Sequence, residues 1–400
     1  MSFSSRIEAA HARLRTVGVT GTNGKTTTTS MVAAITAAAG EPSARVTTLG
    51  AWVDDDRITG TDLVDEFLIT AERAVQRGVK TIAVEMTSKA LMAGVARTWR
   101  PDVGVVTNVT RDHLDLHGTA EAYLAAKTQI VIALEPGGTA VLNGDDPAVA
   151  LIAELVPDGV TIRRFSRRDR SCALVAERVD VTPSGMQIAL GGELATAFDG
   201  SIELGIVGEV HAQNAMAAAL AAHALGYSGA AIRRGLAGFG GVPGRFEIVA
   251  RAPFVVVDYA HTPDGLVGTL ATARALATRV ICVFGCGGNR DRGKRPEMGA
   301  IADGAADVVV LTTDNPRHED PRAIALEVLA GVSRPRARWI VELDRARAIE
   351  LAIATARVTD IVVIAGKGHE QTQEILGVAH PFSDVSVALA ATRRRSNPMS

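Results

Sequence analysis

The residue types best suited to chemistry begin at position 17, in the run VGVTGTNGKTTTTS that ends at residue 30. An apolar strand expected over Thr16–Thr20 meets Gly21-Thr22-Asn23-Gly24-Lys25-Thr26-Thr27, and an Ala-rich helix is expected from about Lys25 to Ala39. Glycines let backbone N–H groups converge on phosphate oxygens, and the helix N-terminus adds free donors and a favourable dipole. Lys25 would then reach the β- and γ-phosphates of a nucleotide, and Thr26 or Thr27 would touch its magnesium. The spacing departs from G-x-x-x-x-G-K-[ST], because position 19 is valine. Lysine occurs only at 25, 80, 89, 127, 294 and 367, against 36 arginines (42 basic residues less six). A lysine here is therefore weakly enriched for tasks a guanidinium performs poorly, such as acting as a compact point charge.

Glu85 closes VKTIAVE, so it should stand at the C-terminal end of a parallel strand, where open sheets place ligands. The next strand ends in TNVTRDHLD, residues 107–115, which puts Asn108, Thr110, Asp112 and His113 on the same rim. A carboxylate and an imidazole beside a phosphate loop suit magnesium better than zinc. Lys127 lies among apolar neighbours on the following helix. Burial favours its neutral amine. Pairing with Glu85, or reaction with carbon dioxide to an anionic carbamate, would each meet that cost.

The second half repeats the arrangement of polar strand ends. Asp258-Tyr259-Ala260-His261 closes one strand, FGCGGNRDRGKRPEMG (284–299) follows another, TTDNPRHEDP (312–321) a third and AGKGHEQ (365–371) a fourth. Arg290, Arg292, Lys294 and Arg295 suit an anion-handling loop. The planar fork of Arg317, after a rigid Asn315-Pro316 turn, suits a bidentate grip on a carboxylate.

These positions must be carried by folded elements, and the composition supplies them. The chain has 400 residues, 47% hydrophobic and 22% charged, with a net charge of −2. That excludes a largely disordered chain and gives no sign of a nucleic-acid coat or membrane-surface binder. No uninterrupted apolar run is long enough for a membrane span, and the first residues lack the apolar stretch of a signal peptide, so a cytoplasmic location is expected. Cys172, Cys282 and Cys286 form neither a disulfide framework nor a zinc pattern and read as reduced thiols.

Apolar runs near 79–84, 103–107 and 139–142 alternate with helical stretches at 64–77 and 119–134, the pattern of α/β units on a mostly parallel sheet. Residues 160–205 read as a small antiparallel patch, followed by an Ala-rich helix over 212–225 packed on both faces. The glycine- and proline-rich GFGGVPGR, 238–245, reads as a boundary and hinge. Beyond it, runs near 254–258, 280–284, 307–312, 337–341 and 360–365 give a second, Rossmann-like α/β domain. The expected domains are 1–243, with a P-loop ATPase-like α/β core that carries the phosphate loop, and 244–400.

The motifs GTNGKTTTT, TRDHLDLHG, PGRFE, DYAHTPDGL, FGCGGNRDRGKRPEMG, DNPR and GKGHE together resemble the ATP-dependent Mur ligases, closest to the branch adding the third residue, such as meso-diaminopimelate, to the peptidoglycan stem. The resemblance spans about 15 to 390. It implies ATP and Mg2+ as cofactors, with Gly21, Thr22, Asn23, Gly24, Lys25, Thr26 and Thr27 on the phosphates. Thr26, Glu85, His113 and Lys127 would serve the metal, Lys127 matching a lysine carbamylated in the family. Lys25, Glu85, His113 and Lys127 are the implied catalytic set. Asn214 would lie near the adenine, while Arg245 and Asp258 help close the nucleotide site. Arg290, Asn315, Arg317, Gly366 and Glu370 match residues gripping the amino acid, with Arg317 on its distal carboxylate. His261 and Asp314 belong to the same expected substrate set, and Lys89 stands where the family has a histidine near the acceptor.

The implied reaction phosphorylates an acceptor carboxylate with ATP, and an amine displaces phosphate from the acyl phosphate as the domains close. A separate N-terminal UDP-binding domain is expected to be absent, since the loop starts at residue 21. His211 replaces an asparagine of the family pattern, and the threonine-rich acceptor segment shrinks to RITGTDLVDEF. A smaller carboxylate than the UDP-muramoyl peptide is therefore the expected acceptor. The rivals are a true UDP-muramoyl ligase with a partner-supplied or dispensable UDP site, a folylpolyglutamate- or cyanophycin-type ligase, and a non-catalytic nucleotide-binding regulator. The expected partners are small molecules, with no nucleic acid and no membrane insertion, and the chain is expected to be a monomer or homodimer.

Overall fold

The computed structural model describes residues 3–396 and divides into two compact units. The first comprises residues up to Arg111 and His117–Gly240, and the second comprises Asp112–Leu116 with the chain from Gly241 onward. Each is an α/β layer structure with its own apolar core.

The first unit is built on one eleven-stranded sheet. Its strands are β1 (Arg15–Thr20), β2 (Ala44–Thr47), β3 (Gly50–Val53), β4 (Asp56–Ile58), β5 (Thr81–Glu85), β6 (Val103–Val106), β7 (Thr139–Asn143), β8 (Thr161–Ser166), β9 (Leu174–Thr182), β10 (Gly185–Gly191) and β11 (Ser201–Leu204). Their order is β11-β10-β9-β8-β7-β6-β1-β5-β2-β3-β4. β1 lies between β5 and β6, parallel to both. The ends of these three neighbours therefore bring residues 21, 85 and 107 to one rim, as a parallel sheet requires.

Helix Lys25–Ala38 contains four consecutive threonines, which are poor helix formers. All four are buried, so packing overrides propensity. It packs against helix Val210–Ala224, in which every residue from Ala215 to Ala222 is at most 1% exposed. Small side chains on all sides allow that close approach. Helix Leu63–Gln76 is capped by Asp62, which accepts from Val64 and Asp65 N–H, and helix Ala120–Ile132 by Thr119, which accepts from Ala122 N–H.

The small antiparallel patch expected over 160–205 is present as an extension of the main sheet, although its first strand is not antiparallel. β8 runs parallel to both β7 and β9, and only β9, β10 and β11 alternate in direction. The hairpin β3–β4 extends the opposite edge.

The second unit has six strands: β12 (Glu247–Arg251), β13 (Phe254–Asp258), β14 (Val280–Phe284), β15 (Val308–Leu311), β16 (Arg338–Val341) and β17 (Ile361–Ala365), in the order β12-β13-β17-β14-β15-β16. All neighbours except β12 and β13 are parallel. The β13, β14 and β17 strands are buried on both faces, which accounts for their unbroken apolar runs. A separate hairpin, β18 (Thr372–Ile375) and β19 (Val378–Pro381), follows the last parallel strand. Cys172, Cys282 and Cys286 are buried free thiols. Among the described residues, no helix is long and apolar enough to cross a membrane.

Candidate functional site

In the first unit the phosphate loop is held by its neighbours through backbone and side chain alike. Thr22 N–H donates to Asn108 O at 2.8 Å, Asn23 N–H to Asn108 Oδ1 at 2.8 Å, and Thr107 Oγ1 to Asn23 O at 2.6 Å. Asn108 was legible as a rim residue, but its grip on Asn23 was not. Gly24 caps helix Lys25–Ala38 from the left-handed region, φ 85°, with no side-chain hydrogen bond capping the helix start. A β-carbon there would stand 2.3 Å from Asn214 Oδ1, and one at Gly21 would stand 1.9 Å from Thr107 Oγ1. Only glycine fits these two positions, and the helix N–H groups stay available to an anion.

Lys25 Nζ donates to Thr22 O at 2.9 Å, folding over the loop. Thr26 Oγ1 donates to Glu85 Oε2 at 2.8 Å, and Thr48 N–H donates to the same oxygen at 3.1 Å. Buried Lys127 donates to Gly21 O at 2.7 Å, and its ammonium lies 4.5 Å from the centre of the Tyr123 ring. Tyr123 OH is also 3.2 Å from Thr22 Oγ1, so one residue that sequence reasoning missed contacts both the lysine and the loop. Asn214 lies against Gly24, with Nδ2 3.3 Å from His211 Nδ1. Loop, Glu85, Lys127 and Asn214 thus come together.

No group of three or more His, Cys, Asp or Glu side chains able to hold a metal occurs among the described residues. Magnesium does not need one, because it keeps waters and takes phosphate oxygens beside one or two protein ligands. The hydroxyl of Thr26 and the buried carboxylate of Glu85, side by side at an open helix start, fit that demand.

The second unit holds a cavity of about 240 Å³ lined by seven of the eight expected substrate residues: His261, Arg290, Asp314, Asn315, Arg317, Gly366 and Glu370. The eighth, Lys89, is exposed on helix Ser88–Met92 of the first unit. His113, expected at the metal, lies in the 112–116 segment of the second unit and lines this cavity.

Both cations and carboxylates line the cavity. Arg290 Nη1 lies 3.2 Å from Asp115 Oδ2, and Lys294 Nζ donates to His261 O at 2.8 Å. Beneath them, fully buried Lys367 donates to Asn315 Oδ1 at 2.9 Å and Glu370 Oε2 at 2.7 Å, while Asn315 Nδ2 donates to Glu370 Oε2 at 2.9 Å. Arg317 Nη1 donates to Gly288 O at 2.8 Å. A side chain at Gly288 would drive a β-carbon to 1.9 Å from Pro316 O.

The His261 Nδ1 faces Tyr259 O at 2.8 Å; a carbonyl only accepts, so Nδ1 carries the proton. Burial and the nearby Lys294 charge push this imidazole down to about 4, leaving it uncharged at neutral pH. Burial, then Glu370, pushes Tyr259 up to about 12. Arg245 stacks 4.1 Å from the centre of the Tyr259 ring. Asp258 accepts from Phe246 N–H at 2.7 Å and from Thr269 Oγ1 at 2.7 Å, so both of its oxygens brace its own strand end.

Residues 19–222 match the Mur ligase middle domain, and residues 244–368 match the Mur ligase glutamate ligase domain. The chain is 40% identical over 395 residues to UDP-N-acetylmuramoyl-L-alanyl-D-glutamate–2,6-diaminopimelate ligase of Geobacillus thermodenitrificans, covering 96% of this chain and 80% of the relative. A solved structure of a ligase with the same name superposes with a TM-score of 0.67 at 32% identity, over 99% of this chain and 84% of that one. The fold is shared with folylpolyglutamate synthase of Mycobacterium tuberculosis, with a TM-score of 0.73 at 22% identity, covering 98% of this chain and 95% of that one. The chain belongs to the Mur ligase family, whose members are ATP- and magnesium-dependent amide-bond ligases.

Proposed function

We propose that this enzyme joins an amine of a diamino diacid of the 2,6-diaminopimelate type to the carboxylate of a muramoyl-peptide acceptor. The observation that carries this reading is the cavity in the second unit. It offers Arg290, Lys294 and Arg317 to carboxylates, and Asp314 and Glu370 to an ammonium group, around a space of about 240 Å³. A diacid bearing ammonium groups presents both signs of charge, as such a lining demands. The matching amine in the name of the 40%-identical relative supports the same choice.

In this reading the first unit binds ATP. The loop amides from Gly21 to Thr27 and the Lys25 ammonium hold the phosphates, and Asn214 borders the nucleotide. Thr26 and Glu85, with Lys127 serving the metal site, would hold magnesium, which neutralises phosphate charge when bound. Lys25 stabilises the oxygens of the phosphoryl group as the acceptor carboxylate takes it. The amine, held by the second unit, then displaces phosphate. The reaction is placed in the cytoplasm, where ATP is supplied.

A second reading concerns the acceptor alone. Lys89 is exposed where the family pattern has a histidine, which favours an acceptor with a different anionic group. A grid of UDP-muramoyl dipeptide and UDP-free muramoyl dipeptide against diaminopimelate, lysine and no amine, read by ADP release and product mass, tests both. Diaminopimelate-dependent ADP is expected. Equal turnover with lysine would remove the amine assignment, and the preferred row decides the acceptor.

A further inference from the structure

The β18–β19 hairpin is exposed along most of its length and pairs with neither main sheet, yet its backbone seizes one residue of the cavity. Arg317 N–H donates to Glu374 O at 3.1 Å, and Leu376 N–H donates to Arg317 O at 2.6 Å. These bonds hold Arg317 in the left-handed region, φ 52°, which is uncommon for a residue with a side chain. The Glu374 N–H also donates to Asn315 Oδ1 at 3.0 Å, and Gln373 Nε2 donates to Asp314 O at 2.7 Å.

The side chain is held as well. Arg317 Nε lies 3.2 Å from Glu374 Oε2, while Nη1 donates to Gly288 O. The Arg317 side chain is 19% exposed and that of Glu374 is 39% exposed. A guanidinium has five donors, so donors remain for a carboxylate in the cavity. Two anchors on one planar group fix its direction. With Gly288 O alone, the guanidinium could rotate about that single contact.

We propose that Glu374 is a positioning residue that aims the Arg317 guanidinium at the distal carboxylate of the incoming amine, making the hairpin a specificity element. The proposal rests on the diamino-diacid reading above. Lysine is diaminopimelate without one carboxylate, so it provides the matched control.

The test uses the full chain and isothermal titration of meso-diaminopimelate and of lysine, with steady-state KM for ATP and the amine. Glu374→Ala should weaken diaminopimelate binding about tenfold, in the range of one charge-assisted contact, and raise its KM by a similar factor. Lysine binding, KM for ATP and the melting temperature should stay as in the parent. Glu374→Gln keeps an acceptor oxygen for Nε and should recover most of the affinity. Parent-like diaminopimelate binding in Glu374→Ala would overturn the proposal, as would equal losses for lysine and ATP. A parent chain that binds no diaminopimelate would instead overturn the underlying reading and the proposal with it.

Discussion

The two units handle charge in opposite ways. Around residues 21–27 the first unit presents backbone amides, one folded lysine and a single buried carboxylate tied to two threonines. Around residues 285–317 and 366–374 the second unit presents interlocked ionic side chains that support one another from below. A triphosphate is the same for every enzyme that uses it, so fixed backbone dipoles suffice. Selecting one amine among many requires side chains with set directions, and those directions need supports of their own.

The largest expected effect tests the first half of that contrast. Gly24→Ala puts a side chain against Asn214 at φ 85° and should block nucleotide binding. Lys25→Ala keeps the loop but removes its point charge. Either change should cut ADP formation at least about a hundredfold. Isothermal titration of an ATP analogue and ADP assays check it, with circular dichroism showing that the fold persists. Substantial turnover in both variants would end the backbone-dipole account.

Next in size is the support beneath the amine cavity. Arg345 and Asp384 are both fully buried and paired through two 2.7 Å contacts. The same guanidinium donates to Ala365 O at 3.0 Å, just before Gly366, and to Thr313 O at 3.3 Å, just before Asp314. It therefore ties two cavity loops to the helix Asp384–Ser396. Removing one buried charge strands the other, so Asp384→Leu should cost about 3–5 kcal/mol. Thermal unfolding should reveal the loss. An unchanged melting curve would show that the pair is dispensable.

The ionic network of the second unit should also respond to pH. Arg295 is fully buried between Glu319, at 2.8 Å, and Glu327, at 2.7 Å. The bond from Arg295 holds the Glu319 carboxyl down at about 2, against the ordinary 4.5. A lowered carboxylate pKa gives stability that is complete above about 4.5 and is lost as the pH falls toward 2. Urea unfolding at pH 6 and pH 3 should show that loss. Glu319→Gln should be less stable at pH 6 and lose less between the two, and an unchanged difference would contradict the assignment.

The smallest effect concerns Lys89. Being exposed, Lys89→Ala should change stability by no more than about 0.5 kcal/mol. Its effect should fall on KM for the acceptor, leaving KM for the amine unchanged. A shift confined to the amine would remove Lys89 from the acceptor side.

The sequence made the first site unusually legible because strand, loop and helix follow one another within 17–30. Glu85 could be placed because parallel strand ends share a rim, and β1 and β5 are neighbours. The second site was legible as four separate loops but not as a network. Nothing in the spacing of Asn315, Lys367 and Glu370 foretells that one amide bonds both charged groups. The hairpin that grips Arg317 was missed for a physical reason. Its strands are largely exposed, so they carry no burial-driven alternation to read. β8 was misassigned to an antiparallel patch because direction depends on its partners, β7 and β9. Tyr123 stands in no motif of the sequence, and only the fold reveals its contacts with Thr22 and Lys127.

The central claim is that the loop at 21–27 offers the terminal phosphate of ATP to an acceptor carboxylate. Labelling both oxygens of that carboxylate with 18O and analysing the phosphate released in a complete reaction tests it most directly. Transfer through an acyl phosphate predicts one labelled oxygen in each phosphate and one in the new amide product. Unlabelled phosphate, with both labelled oxygens still on the acceptor, would contradict the account.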